Sequence, residues 1–487
     1  MKILLICKSE YRYWFPALGA LLRSQFGCDV EAMTFTGPSS RMMRASGAFQ
    51  EIHNLAAYLK KFVREHDMEE CIRSLQETDF AETLNAMVYS DRIIKQYPFE
   101  RVVKIMAGIV TFWKDLLSEV QPDAIVGEIA SATEWVCCSM ATHLNIPYLF
   151  PSITPLGTRV FFDRDPQGRW QAAEAVYREM KHKDLTRDQA TTAANFLEGF
   201  RTKKAKPPFL GGALRSPFHV DFDQIGKRLK RIPFRIQTYL EDGYFEVGSY
   251  HGTPPWEPVL LDAMRLIRHV TYEKLVFKTA VPAGRKVYFP LHMQPEYTTD
   301  VRAPFYTDQP ALIENLAKSV PMGYRVMVKE HPAMKGERKL SYYRRFQSFY
   351  NVDLLSPSVD SHDLILSSDV SLTITGTTAW ENILYERPVI AFGPLCYGYF
   401  ELVYKCENIS DLPGLITEAI KDFRPNREQV LKFIWSVLST AHTFFWGDAM
   451  CDPRILDKGN LEAIAKSILF DVQCASGTAT DYAPVCV

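Results

Sequence analysis

Val370 to Phe392 reads VSLTITGTTAWENILYERPVIAF, and its punctuation decides the fold. An apolar run ends at Thr375, Gly376 breaks it, Thr377–Tyr385 follows with apolar residues at helical spacing, and Pro388–Phe392 is apolar again. Short apolar runs between breakers have the length of buried strands, and strand–helix–strand is the repeating unit of a parallel sheet. The alternation extends toward the N-terminus. Lys286–Leu291, Tyr324–Lys329 and Val352–Leu355 read as strands, with helices over Gln309–Ser319, Lys339–Tyr350 and His362–Ser367. Five strands alternating with helices predict a Rossmann-like unit over residues 285–473, closed by helices. The small, polar tail 474–487 is expected to be flexible.

The first third repeats the pattern. Lys2–Cys7, Val30–Phe35, Pro122–Glu128 and Ile146–Pro151 read as strands, and Trp14–Gln25 and Ser131–Leu144 as helices. A helical insertion is expected over about 47–119, within a first Rossmann-like unit spanning 1–160. The fold class is therefore α/β, with two Rossmann-like domains facing a cleft. Residues 161–284 form a basic, partly helical connecting region, broken by the Pro/Gly-rich stretch Pro207–Pro217.

A chain of 487 residues is too long for one core and suits two domains. A net charge of −1 gives the whole chain no preference for nucleic acid or membrane. One stretch departs from this. Between Arg201 and Arg235 lie ten basic residues, Lys227, Arg228, Lys230 and Arg231 among them, against Asp221 and Asp223. Two readings are open, a solvated linker helix or a contact with a polyanionic or lipid-linked acceptor at the inner membrane surface. Ten scattered cysteines without a C-x-x-C pair are the usage of reduced thiols in a cytosolic protein. The opening MKILLIC gives way at once to Lys8, Glu10 and Arg12, so it reads as a strand and not an export signal. No run of about 18 apolar residues offers a membrane span. A cytoplasmic location is expected.

Ligands of open parallel sheets bind beyond the carboxyl ends of the strands. Four such ends in the second unit are polar: His292, Gln294 and Glu296 in LHMQPEYTTD, Lys329 and His331 in KEHP, TGTTAWE at Thr375–Glu381, and Tyr397 in FGPLCYGYFE. Gly376 permits a turn, Thr377 and Thr378 supply hydroxyls and first-turn N–H groups for a phosphate, and Glu381 can reach ribose hydroxyls. Thr377 as an N-cap, with Glu381 closing a capping box, is the competing structural reading. His331 can donate to a phosphate oxygen, with Lys329 as a nearby cation. Walker A, GxGxxG and HExxH sequences are missing, which disfavours P-loop, dinucleotide and zinc-protease chemistry, and no metal or cofactor is expected. In the first unit Glu128 ends a buried strand and is a candidate general base, or else a partner for the helix starting near Ser131. Glu10 and Tyr11 hold a weaker claim. Asp163 and Asp165 form a D-R-D turn.

At these residues the sequence resembles the bacterial capsule-polysaccharide synthesis and export family, which includes Kdo transferases. The likeness rests on VKEHP at Val328–Pro332, TGTTAWENILYERPV at Thr375–Val389 and FGPLCYGY at Phe392–Tyr399. It implies the GT-B arrangement, with the donor, a nucleotide sugar such as CMP-Kdo, held by His331, Thr377, Thr378 and Glu381 in the C-terminal domain. It also implies a catalytic aspartate downstream of the first-domain strands, where Asp163 or Asp165 lies. The implied activity is metal-independent glycosyl transfer to a capsular glycan or its lipid-linked acceptor. The same build also serves a non-hydrolysing sugar-nucleotide epimerase, and a decayed copy would suit a non-catalytic export protein.

Overall fold

The computed structural model describes residues 1–8, 10–156, 158–164, 168–204, 222–242 and 256–475; Asp165, the Pro207–Pro217 break, the side chains of Lys227 and Arg228 and the tail beyond 475 lie outside them. Among the described residues the strands form two sheets.

The first sheet contains β1 (Lys2–Cys7), β2 (Asp29–Thr34), β3 (Ile52–Asn54), β4 (Ala124–Val126), β5 (Tyr148–Ile153) and β6 (Arg159–Asp163). The second contains β7 (Lys286–Pro290), β8 (Arg325–Lys329), β9 (Val352–Leu355), β10 (Val370–Thr373), β11 (Val389–Ala391) and β12 (Val403–Lys405). A last strand, β13 (His442–Thr443), returns to the first sheet. The second sheet runs β12-β11-β10-β7-β8-β9, all parallel. In its own counting that is the order 3-2-1-4-5-6 of the doubly wound dinucleotide folds, with the order reversing between β7 and β10. The first sheet runs β13-β6-β5-β4-β1-β2-β3, parallel from β3 to β5, and reverses in the same way between β1 and β4. Only β6 and β13 join antiparallel. Two Rossmann-like sheets thus make the α/β, GT-B-like build.

The strands read from the sequence are present, because each is a mostly apolar segment whose residues are buried on both faces. β3, β6, β12 and β13 were not foreseen: three have only two or three residues, and β6 ends in the charged Asp163. The insertion is helical as expected, dominated by Phe99–Val120, whose inner face carries Ile105, Ile109, Trp113 and Leu117. Packing does not follow the sequence boundaries. The helix Lys458–Ala475, expected with the second unit, buries Leu461, Ile464 and Ile468 among Leu18 and Leu22 of the first. Helices Gln171–Met180 and Arg187–Lys203 of the connecting region pack on Arg427–Thr440 of the second unit.

Part of the expected basic patch is spent internally. Arg201 pairs with Glu386 at 2.7 Å, Lys204 with Asp363 at 2.5 Å, and Arg231 with Asp448. The nine described cysteines are free. No helix among the described residues is long and apolar enough to cross a membrane.

Candidate functional site

A cavity of about 640 Å³ opens where the order of the second sheet reverses. Its floor is the loop after β7, with His292, Met293, Glu296 and Thr298, together with His331 after β8 and Thr375–Thr378 after β10. The opposite wall comes from the first sheet and the returning chain: Thr154, Pro155, Thr158 and Val160 from the β5–β6 hairpin, then Phe445, Trp446, Asp452 and Arg454. The cavity therefore lies between the two sheets.

Hydrogen bonds fix both imidazoles. The Ala333 N–H donates to His331 Nδ1 at 3.2 Å, which leaves the ring proton on Nε2. Burial, then the charges of Lys329 and Arg338, pull the His331 pKa down from 6.5 to about 4, so the ring is a neutral donor at pH 7. At His292, Nε2 lies 2.9 Å from Thr373 Oγ1 and accepts the Thr375 N–H at 3.4 Å. The Thr373 hydroxyl in turn accepts the Gly376 N–H at 3.1 Å. Hence His292 carries its proton on Nδ1, which makes no hydrogen bond of ordinary geometry although the Pro290 carbonyl favours its protonation. Burial, with His331 and Arg338 nearby, pushes its pKa to about 3.

These bonds revise the reading of TGTTAWE. The Thr375 and Gly376 N–H groups are engaged, while those of Thr377 and Thr378 make no hydrogen bond among the described residues. Gly376 is required by crowding and not by a left-handed turn: a Cβ there would stand 2.8 Å from His292 Nε2 and 3.0 Å from Thr373 Oγ1. The Thr377 side chain forms no cap, so the capping-box alternative is not realised.

Of the expected donor residues, His292, Glu296, His331, Gly376, Thr377 and Thr378 line one cavity. The others do not. Lys329 is buried at the end of β8 and acts on His331 through its charge. Gln294 donates to the Thr307 carbonyl at 2.9 Å and lines a different cavity. Glu381 is buried in the helix Thr378–Leu384, one turn below the cavity. Tyr397 packs against Trp170 and Trp380 in the core.

The two first-unit acids are also placed elsewhere. Asp163 is 2% exposed in β6, in the field of Arg302, outside the cavity. Glu128 receives Lys8 Nζ at 2.8 Å and Trp446 Nε1 at 3.2 Å. Burial alone raises its carboxyl, but Lys8, Tyr11 and Trp446 outweigh it and hold the group below the ordinary range. An acid locked as the anion of an ion pair is a poor base near neutral pH. Tyr11 joins the same plug, its hydroxyl accepting Trp446 Nε1 at 2.9 Å. Glu296 is the carboxylate on the cavity floor, facing Asp452 of the opposite wall. Burial, with Asp300 nearby, lifts its pKa, and it accepts Thr298 Oγ1 at 3.0 Å.

Sequence reasoning missed Arg338 and Arg454. Arg338 is buried, donates to the His292 carbonyl and Tyr342 Oη, and lies 3.8 Å from Glu330. Glu330 also accepts the His331 N–H at 2.6 Å and Tyr343 Oη at 2.5 Å. A carboxylate at the end of a buried strand demands a cation, and that was the available signal. Arg454 sits at the cavity mouth, bidentate to Asp452 at 2.8 Å and stacked over Phe445. Nothing local marks it.

No protein-family model matches the chain, and no curated protein matches it in sequence. Among solved structures it is similar to the KpsC β-Kdo 2,4 transferase of Thermosulfurimonas dismutans. That match is 14% identical with TM-score 0.37, covering 72% of this chain and 87% of the other. It is also similar to the UDP-GlcNAc 2-epimerase of Neisseria meningitidis bound to UDP-GlcNAc, at 10% identity and TM-score 0.28, covering 96% and 100%. CalG4, the calicheamicin glycosyltransferase, matches at 12% identity and TM-score 0.27, covering 99% of each chain. Likenesses this distant carry no argument about the reaction.

Proposed function

We propose that the protein is a glycosyltransferase that binds a nucleotide sugar in the cavity between its two sheets and passes the sugar to a glycan acceptor. One observation carries this reading: a cavity at the sheet's reversal point brings a neutral His331 donor and the open N–H groups of Thr377 and Thr378 onto one floor, with Glu296 beside them. Buried Lys329 and Arg338 stand behind that floor and favour an anion there. The donor's phosphate lies against His331 and the threonine amides. As the acceptor oxygen bonds to the anomeric carbon, the bond from that carbon to the phosphate oxygen breaks. The leaving phosphate gains charge, which the fixed N–H donors stabilise in the transition state. Glu296, lifted by burial, takes the acceptor's proton. This chemistry requires no metal from the residues named. A cytoplasmic, CMP-activated acidic sugar donor and a capsular or lipid-linked acceptor form the finer version, supported by the sequence resemblance.

Thermal shifts with CMP, UDP and GDP test the binding step, with the midpoint expected to rise for one base and not the others. A flat response to all three, or an isomerised sugar formed from donor alone without acceptor, would sink the transferase reading.

A further inference from the structure

Two adjacent helices of the connecting region turn apolar stripes outward. The helix Glu257–Leu275 packs inward through Tyr272, yet Trp256, Leu260, Met264, Ile267 and Leu275 are 60, 61, 46, 67 and 76% exposed. At 100° per residue these five fall within about a third of the helix circumference, centred about 110° from the inward-facing Tyr272. The helix Phe222–Glu241 exposes Ile232, Ile236 and Leu240 at successive intervals of four residues. Tyr239 meets the Trp256 ring edge-on at 6.1 Å, so the two stripes adjoin. Contiguous apolar surface of this kind, unlike single exposed leucines, marks a contact site.

Charge decides what makes the contact. The sequence of the helix Phe222–Glu241 holds five basic residues against Asp223 and Glu241; Arg231 is taken by Asp448, while Lys230 and Lys274 stand exposed beside the stripes. A second copy of the same basic face would repel it. Apolar stripes edged by cations, with tryptophan at one end, match the boundary between headgroups and acyl chains of an anionic bilayer.

We infer that this two-helix face docks peripherally on an anionic lipid bilayer. Trp256, Leu260, Met264 and Ile267 enter the acyl boundary while Lys230 and Lys274 meet the lipid phosphates. Arg235, Leu261 and Arg265 of the same helices line a second cavity of about 900 Å³ that also receives Arg92 and Lys95. Docking sets that basic cavity beside the headgroup layer. The inference stands apart from the transfer reaction, since it needs neither His331 nor a nucleotide.

Co-sedimentation of the full chain with vesicles tests it. Binding is expected to vesicles containing phosphatidylglycerol, to weaken with salt, and to be slight with phosphatidylcholine alone. Leu260→Ser with Ile267→Ser should reduce it about tenfold or more, at an unchanged unfolding midpoint. No sedimentation, equal binding of the double variant, or equal binding to neutral vesicles would overturn the proposal. So would a concentration-dependent dimer that the double variant abolishes, which assigns the face to a second copy. A lowered midpoint without vesicle binding would show the chain itself covering the stripes, and would likewise overturn it.

Discussion

The two sheets reverse their strand order in the same way, yet one reversal point is plugged and the other is open. Between β1 and β4 the crevice is filled by the Lys8–Glu128 ion pair at 2.8 Å and by Tyr11, with Trp446 Nε1 of the returning chain donating to both Tyr11 Oη and Glu128 Oε1. Between β7 and β10 the equivalent crevice holds His292, His331 and Thr377 around open space. Topology nominates a crevice, and the side chains that reach it decide whether a ligand can enter.

The largest test of that contrast is His331→Ala. Removing one fixed donor from an anion site should lower transfer roughly 10²–10³-fold, with the unfolding midpoint moved by little. Transfer at the parental rate would erase the functional difference between the crevices. Glu128→Ala probes the plugged one. It strands Lys8, whose side chain is 12% exposed, without its counter-charge, and should cost about 3 kcal/mol in denaturant unfolding. Activity per folded molecule should persist. If the variant instead folds normally and loses transfer, Glu128 is the base and the plug is part of the active site.

A subtler test lies behind the plug. Burial, only partly offset by Lys8 and Ser131, pushes the Glu134 carboxyl up to about 7 from its ordinary 4.5. A raised acid favours the folded state below its unfolded pKa and loses that contribution as pH climbs through the folded value. Glu134→Gln should therefore match the parent near pH 4 and exceed it by about 2–3 kcal/mol at pH 8. Parallel stability curves across that range would show that Glu134 is not held in a desolvated site.

Much of the second sheet was legible because its strands are buried on both faces and several read as uninterrupted apolar runs, as in Val326–Val328 and Val389–Ala391. Short strands such as β13 were not, since two residues carry no periodicity. Within the site, His292, His331 and the Thr377 region were legible as polar residues at strand ends. Tyr397 and Glu381 share that position in the sequence, but their side chains fall on the core side of the sheet. Asp163, a candidate only through the resemblance, ends β6 buried and outside this cavity, and which face a strand-end aspartate takes is set by the partner strand.

The local order of apolar runs and breakers determined two parallel α/β units and put polar groups at their strand ends, because backbone hydrogen bonding and burial act within each run. Only the tertiary structure decided which of those groups meet. Trp446 lies more than 300 residues from Glu128 along the chain, and it closes one crevice because the last helix returns to the first sheet. The tautomers of His292 and His331, the crowding that demands glycine at 376 and the charges behind the floor all come from contacts between separate elements.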